Sequence, residues 1–280
     1  MSKLTSCISD SAPDYEASVD ASPYHDGRSI LEVQHVEKIY GNRDIYTHAL
    51  NGLTFEMKTG DFIALMGPSG SGKTTLLKCI AALENLTAGS ILVDGVKLNK
   101  LKPHERTAFR SKHISFIFQD SNLLSTLTGY ENIALPLSIQ GIPAPKIHTR
   151  VQEIASTLGI ENELMKFPSQ MSGGQCQRVA AARAIITKPK IVLADEPTGS
   201  LDSRNATILL ELLAHINQHY QCTILMVTHS ALAASYAQRA LFIKDGKLFT
   251  AVERPSNNRK LFFEELLDVQ AFLSGEHHAR

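Results

Sequence analysis

Tryptophan is absent, and only four cysteines occur, Cys7, Cys79, Cys176 and Cys222, with no CxxC or other metal-ligand spacing. So sparse a set argues against a disulfide-built scaffold and a cysteine metal site, and it fits a reducing compartment. An excess of charge of one sign is also missing, because 28 Lys and Arg residues balance 28 Asp and Glu residues. No global basic field is available to hold nucleic acid or an anionic membrane, so an anionic ligand must be met at a local site. No apolar run approaches the roughly 20 residues that span a bilayer. The run after Asp61, Phe62–Met66, stops at Gly67, and Met1–Cys7 lacks the continuous apolar stretch of a secretory signal. These absences predict a cytosolic protein, peripheral where it meets a membrane.

What is present is a core-forming composition, 43% apolar and 20% charged over 280 residues, enough for one large α/β domain or two small ones. Residues 1–29 read as a flexible tail, rich in Ser, Ala and Pro, with Asp10, Asp14, Glu16, Asp20 and Asp26 nearly unmatched by basic residues. The folded domain is expected over residues 30–255. Leu31, Val33 and His35 alternate with Glu32 and Gln34, and Leu53, Phe55 and Met57 alternate with polar neighbours, the period of half-buried strands. Asp94-Gly95 and Asp245-Gly246, each between apolar runs, signal hairpins. The short apolar segments Phe62–Met66, Ile114–Phe118, Ile191–Ala194 and Ile224–Val227 suit parallel strands covered on both faces. Thr74–Leu83, Gln175–Thr187 and Ala206–Gln218 carry helical spacing between them. The fold class is therefore α/β, with a ligand expected at the strand C-termini. Residues 127–171 pattern as an inserted helical subdomain punctuated by Pro136, Pro143, Pro145 and Pro168. Residues 256–280 pattern as an amphipathic helix and tail, with Phe262, Phe263, Leu266, Leu267 and Leu273 on the packing face.

Gly67-Pro68-Ser69-Gly70-Ser71-Gly72-Lys73-Thr74 matches GxxxxGK[ST] at the junction of a buried strand and a helix. The glycines let backbone N–H groups wrap phosphates, Lys73 adds positive charge near the β/γ phosphates, and Thr74 offers an oxygen to Mg²⁺, with Thr75 one step along the helix. ATP or GTP with Mg²⁺ is the ligand this loop implies. Ile191–Ala194 ends in Asp195 and Glu196, which lie beside the loop if their strands neighbour each other. Alone they read as a solvated acidic turn. Coupled to the loop, Asp195 suits the metal and Glu196 suits proton acceptance from an attacking water. Ser172-Gly173-Gly174-Gln175 opens a further helix and offers a second phosphate-facing N-terminus.

With these motifs in order, the sequence resembles the ATP-binding cassette (ABC) ATPases from about Ile30 to Gly246, their signature LSGGQ standing here as Met171–Gln175. The resemblance implies a P-loop NTPase core with a mostly parallel sheet, an antiparallel β subdomain and an inserted helical subdomain. It also implies roles: Gln119 as the Q-loop glutamine at the metal, Asp202 in the D-loop, His229 as the catalytic switch histidine, Tyr40 as the aromatic under the base. Two such chains pack head to tail, so Ser172 and Gly174 of one close over ATP held by Gly70, Lys73 and Thr74 of the other. A homodimer, or a heterodimer with another cassette, is implied. Met171 for leucine keeps apolar volume. Cys176 stands where glutamine is common; a small thiol there reads as inert, with a pKa lowered by the nearby helix N-terminus as the alternative.

Such an engine serves either a transporter or a soluble protein acting on DNA or ribosomes. The soluble DNA-acting relatives insert a long coiled coil between loop and signature, whereas only about 100 residues separate Thr74 from Met171 without sustained heptads. A transporter subunit driving a transmembrane permease from the cytoplasmic side, with no nucleic-acid partner, is the expectation. Gln119–Leu124 and Thr128–Leu137 resemble the bacterial group serving lipoprotein release, macrolide export and antimicrobial-peptide resistance, and Leu261–Gln270 resembles the bacitracin-resistance type.

Overall fold

In the computed structural model, residues 28–42, 45–255 and 258–275 are described. The tail expected over residues 1–29 therefore lies, up to residue 27, outside the described residues. A four-stranded antiparallel sheet has the order β2-β1-β4-β5, from β1 (Ser29–Asn42), β2 (Ile45–Lys58), β4 (Ala88–Val93) and β5 (Val96–Lys97). A six-stranded sheet has the order β10-β9-β3-β8-β7-β6, from β3 (Phe62–Met66), β6 (Ile114–Phe118), β7 (Ile191–Asp195), β8 (Ile224–Val227), β9 (Arg239–Lys244) and β10 (Lys247–Glu253). Strands β6, β7, β8, β3 and β9 run parallel, and β10 returns antiparallel through the Asp245-Gly246 turn. Both Asp-Gly turns take left-handed backbone at both residues, φ 50° and 76° at Asp94-Gly95 and φ 51° and 72° at Asp245-Gly246. That is the conformation that matches the twist of paired strands.

The period of two within each central strand divides the core. Phe62, Ala64 and Met66 of β3, Val192 and Ala194 of β7, and Ile224 and Met226 of β8 enter one apolar cluster. The alternate residues Ile63, Leu65, Ile191, Leu193, Leu225 and Val227 enter another. The second cluster joins helix α1 (Lys73–Ile80) and the antiparallel sheet to one face of the parallel sheet. The first joins the other face to α5 (Gly173–Ile185), α6 (Ser203–Tyr220) and the helices α3 (Gly129–Ile139) and α4 (Ala144–Leu158). Burial on both faces explains why these strands read as continuous apolar runs. Helix α2 (Pro103–His113), which precedes β6, contributes no fully buried residue.

The alternation in β1 does not run through His35. The strand bulges there, with φ 47° at His35 and register shifts between Val33 and Val36, so His35 is exposed and Val36 is buried instead. An extra residue in one strand of an antiparallel pair reverses the facing of the residues after it. Asn132, fully buried in α3, ties the loop before that helix: it accepts from Leu124 N and donates to the carbonyls of Leu124, Leu127 and Thr128.

After the four-residue helix α7 (Ala231–Ala234), the chain ends its described course in α8 (Arg259–Ser274). Phe262 and Leu266, one helical turn apart, are fully buried, and Phe263 and Leu273 are partly buried on the same cluster. Leu267, expected on that face, is 43% exposed because it lies about 100° around the helix from Leu266.

Candidate active site

Parallel strands in register place their C-terminal loops on one edge of the sheet. The loops after β3, β6, β7 and β8 bring there Gly67–Thr74, Gln119, Asp195-Glu196 and Thr228-His229. The condition set for their meeting, that β3 and β7 neighbour each other, is not met, since β8 lies between them. The carboxylates nonetheless reach the loop: burial pulls the Lys73 ammonium below the usual lysine range, and the charges of Glu196 and Asp195 act against that shift. Asp195 is pushed up, by burial first and then by the neighbouring Glu196 charge.

The loop's geometry requires its glycines at two positions. Gly67 has φ 145°, and a Cβ there would stand 2.1 Å from the Ile243 carbonyl oxygen. Gly72 has φ 101°, and a Cβ there would stand 2.2 Å from the Ala49 carbonyl oxygen. Ser71 N donates to Pro68 O at 3.2 Å, closing the turn that Ser69 and Gly70 cap in the open. Lys73 folds back over the loop and donates to the carbonyls of Gly67 and Pro68 at 2.8 and 2.9 Å. Thr74 is exposed at the start of α1. Tyr40 of β1 lies near Thr75, is 39% exposed and donates to Glu84. Burial, then the Glu84 bond, pushes the Tyr40 hydroxyl up to about 12.

Glu196 departs from the strand in the left-handed region at φ 49°, a conformation costing a non-glycine residue on the order of 1–3 kcal/mol. Its N–H donates to Val227 O at 3.0 Å, and its carbonyl accepts from Gly199 N at 2.9 Å. This tight turn swings the carboxylate to His229, whose Nδ1 is 2.6 Å from Oε2. The segment after β6 is held from the other side. A Cβ on Gly199 would come 2.9 Å from the Gln119 side chain, and Ser200 Oγ donates to Gln119 O at 2.8 Å.

Sequence reasoning missed two residues that order this segment. Gln177, 1% exposed in α5, donates to the carbonyls of Phe118 and Gln119. Arg183, one and a half turns on, donates to Asn122 O and Ser121 O at 2.7 and 2.8 Å, spanning two residues with left-handed backbone. The available signal was two long polar side chains set in an alanine-rich helix.

Ser172 caps α5, its hydroxyl accepting from Gln175 N at 3.3 Å. Gln175, expected to face a ligand, turns inward instead. Its Oε1 accepts from Ser172 N at 2.7 Å, and its Nε2 donates to the buried Glu163 at 2.5 Å. Gly173 and Gly174 pack beside Leu201 and Asn205, next to Asp202, which caps α6 by accepting from Arg204 N and Asn205 N at 3.0 Å. Those bonds hold the Asp202 carboxyl below its usual range. Among the described residues, no hydrogen bond joins Ser172–Gln175 to Gly67–Thr75 of the same chain. Burial raises the Cys176 thiol, which faces the Pro168 carbonyl at 3.7 Å, so the alternative of a lowered pKa is not met.

A cavity of about 570 Å³ lies elsewhere, lined by residues that precede β7 and β8, among them Lys188, Lys190 and Tyr220. It contains none of the residues placed at the strand C-termini. The groups able to carry chemistry are thus at the strand C-termini: a buried ammonium under a curled backbone loop, a carboxylate pair whose charges act on it, and an imidazole on the second carboxylate.

The ABC transporter family profile matches residues 50–199. The chain is 44% identical over 247 residues to the bacitracin export ATP-binding protein BceA of Halalkalibacterium halodurans, covering 88% of this chain and 98% of that one. It is 39% identical to the lipoprotein-releasing system ATP-binding protein LolD of Psychrobacter arcticus, covering 78% and 97%. Among solved structures, the dimeric post-hydrolysis state of the ATP-binding cassette MJ0796 bound to ADP and Pi superposes with a TM-score of 0.73 at 35% identity, covering 80% and 99%.

Proposed function

The chain belongs to the ABC transporter family, and from that premise we propose that it powers a separate membrane permease in bacterial resistance to bacitracin-like peptides. It is an ATP-binding and ATP-hydrolysing subunit. The observation that carries the narrower reading is the likeness to BceA over nearly that protein's whole length. Among the described residues no helix is long and apolar enough to cross a membrane. In the proposed reading the permease is a different chain, met from the cytoplasmic side.

In this reading ATP lies on the Gly67–Thr75 loop, where Ser69, Gly70 and Gly72 present backbone N–H groups, Pro68, which has no N–H, shapes the turn by accepting from Ser71 N, and Lys73 leaves its own loop carbonyls for the phosphates. Tyr40 stacks under the base, a contact worth about 1–3 kcal/mol. Glu196 takes the proton from the attacking water, and His229 holds that carboxylate and the γ-phosphate. Mg²⁺ would be held by Thr74, Gln119 and Asp195, and it supplies charge neutralisation on the β and γ phosphates. Their donor set fits, since an ion shared with phosphate oxygens needs one carboxylate and a hydroxyl rather than an all-protein cage. Among the described residues no cluster of three or more His, Cys, Asp or Glu offers such a cage.

Ser172, Gly173 and Gly174 then serve a second chain. Their packing against Leu201, Asn205 and Asp202 fixes them to α6, and the dimeric cassettes among like structures support two copies closing on two nucleotides. Gln175 acts by holding Ser172 in place through the helical region rather than by touching the nucleotide.

The test is physiological. Deleting the gene should leave growth in plain medium nearly normal while lowering the tolerated bacitracin dose, and Glu196→Gln in the chromosome should reproduce the deletion. A gene essential for growth whose partial depletion leaves peptide tolerance unchanged would overturn the resistance reading in favour of lipoprotein release, which the likeness to LolD would then explain.

A further inference from the structure

Helix α8 reaches the functional edge of the sheet. Gln270 Nε2 donates to the backbone carbonyl of His229 at 3.1 Å, across 41 residues of chain. The imidazole of the same residue is 72% exposed, so packing does not fix the ring, and its Nδ1 meets Glu196 at 2.6 Å. What fixes His229 is therefore its backbone. On one side Thr228 N donates to Leu65 O at 3.1 Å, which ties the end of β8 to β3. On the other, Ser230 N donates to Thr228 Oγ1 at 3.1 Å, and the Ser230 hydroxyl caps α7. The carbonyl between these anchors is the one that Gln270 holds.

The donor comes from a rigid support. Phe262 and Leu266 of α8 are fully buried in the cluster that contains Ala231, Ala233, Ala234 and Tyr236. The Arg259 guanidinium also lies 4.3 Å over the Tyr236 ring. Helix α8 is thus packed on the segment just after His229, and its C-terminal half presents Gln270 to the residue itself. A side chain needed only for packing at this place would not have to be an amide.

We propose that Gln270 is a positioning residue for ATP hydrolysis: its amide, carried by α8, holds the His229 backbone where the imidazole meets Glu196. The inference rests on the roles proposed above for His229 and Glu196. It gives α8 a second task besides covering the core, and it makes turnover depend on a helix outside the residues 50–199 that the family profile matches.

The experiment is steady-state ATP hydrolysis by the full chain with Gln270→Leu and the nearly isosteric Gln270→Glu, neither of which donates to a carbonyl at neutral pH. Each should lower kcat about 3- to 10-fold, the effect of one lost hydrogen bond, with KM for ATP and the melting temperature close to the parent. In a His229→Ala background, Gln270→Leu should produce no further loss, because the two residues act as one unit. Unchanged kcat in both variants would overturn the inference, and so would a loss that persists in full on His229→Ala or tracks a fall in melting temperature. Near-normal turnover by His229→Ala alone would instead remove the proposed role of His229 and the inference with it.

Discussion

Glu196→Gln should lower ATP turnover by about 10²–10⁴-fold while leaving nucleotide affinity nearly intact, and the variant should accumulate as an ATP-bound dimer. The expectation comes from geometry that glutamine preserves and chemistry that it removes. The left-handed turn at Glu196, anchored by Val227 O and Gly199 N, aims the side chain at His229 whichever group it carries. An amide there keeps the reach to the imidazole but has no basic oxygen to take a proton from water. On the proposed site ATP is held by another loop, so binding and closure should remain while release, which needs hydrolysis, should be blocked. Turnover and size-exclusion mass in ATP measure the two halves separately; turnover within a few-fold of the parent would remove Glu196 from the role of base.

Lys73→Ala should act at the earlier step, weakening ATP binding about 10- to 100-fold, the effect of losing a charge-assisted hydrogen bond. In the resting chain the ammonium is bound by the loop's own Gly67 and Pro68 carbonyls and burial opposes its charge. The side chain is held in a place that costs desolvation, which a phosphate offsets more fully than two neutral carbonyls do. Melting without nucleotide should therefore change little, whereas the stabilisation added by saturating ATP should largely disappear. Direct titration checks the affinity; an unchanged dissociation constant would show that the phosphates do not meet Lys73.

The two predictions differ in how far the sequence alone supports them. The phosphate loop was legible because its spacing is local: a strand buried on both faces, glycines where φ is positive, and a helix directly after. Strands β3, β6, β7 and β8 were legible for the same reason, as apolar runs too short for helices and ended by polar turns. Their spatial order was not, because nothing local states that β8 lies between β3 and β7. The left-handed backbone at Glu196 was also hidden, since no glycine or asparagine marks it. In β1, alternation predicted an inward His35, and a bulge, which leaves no trace in apolar periodicity, turned it out. Gln175 and Gln177 show the limit at the site itself. The motif names the first, yet its side chain braces Glu163 and Ser172, while the unremarked second orders the Gln119 loop.

The central claim is that each ATP is enclosed by the Gly67–Thr74 loop of one chain and the Ser172–Gly174 segment of another. Two differently tagged versions of the Glu196→Gln chain, one with Ser69→Cys and one with Ser172→Cys, test it, since both positions are exposed. Mixed with a short thiol crosslinker, they should give a product carrying both tags when ATP is present and little without it, and the parent pair lacking the new cysteines should give none. ATP-bound dimers that form without any such doubly tagged product would contradict the claim.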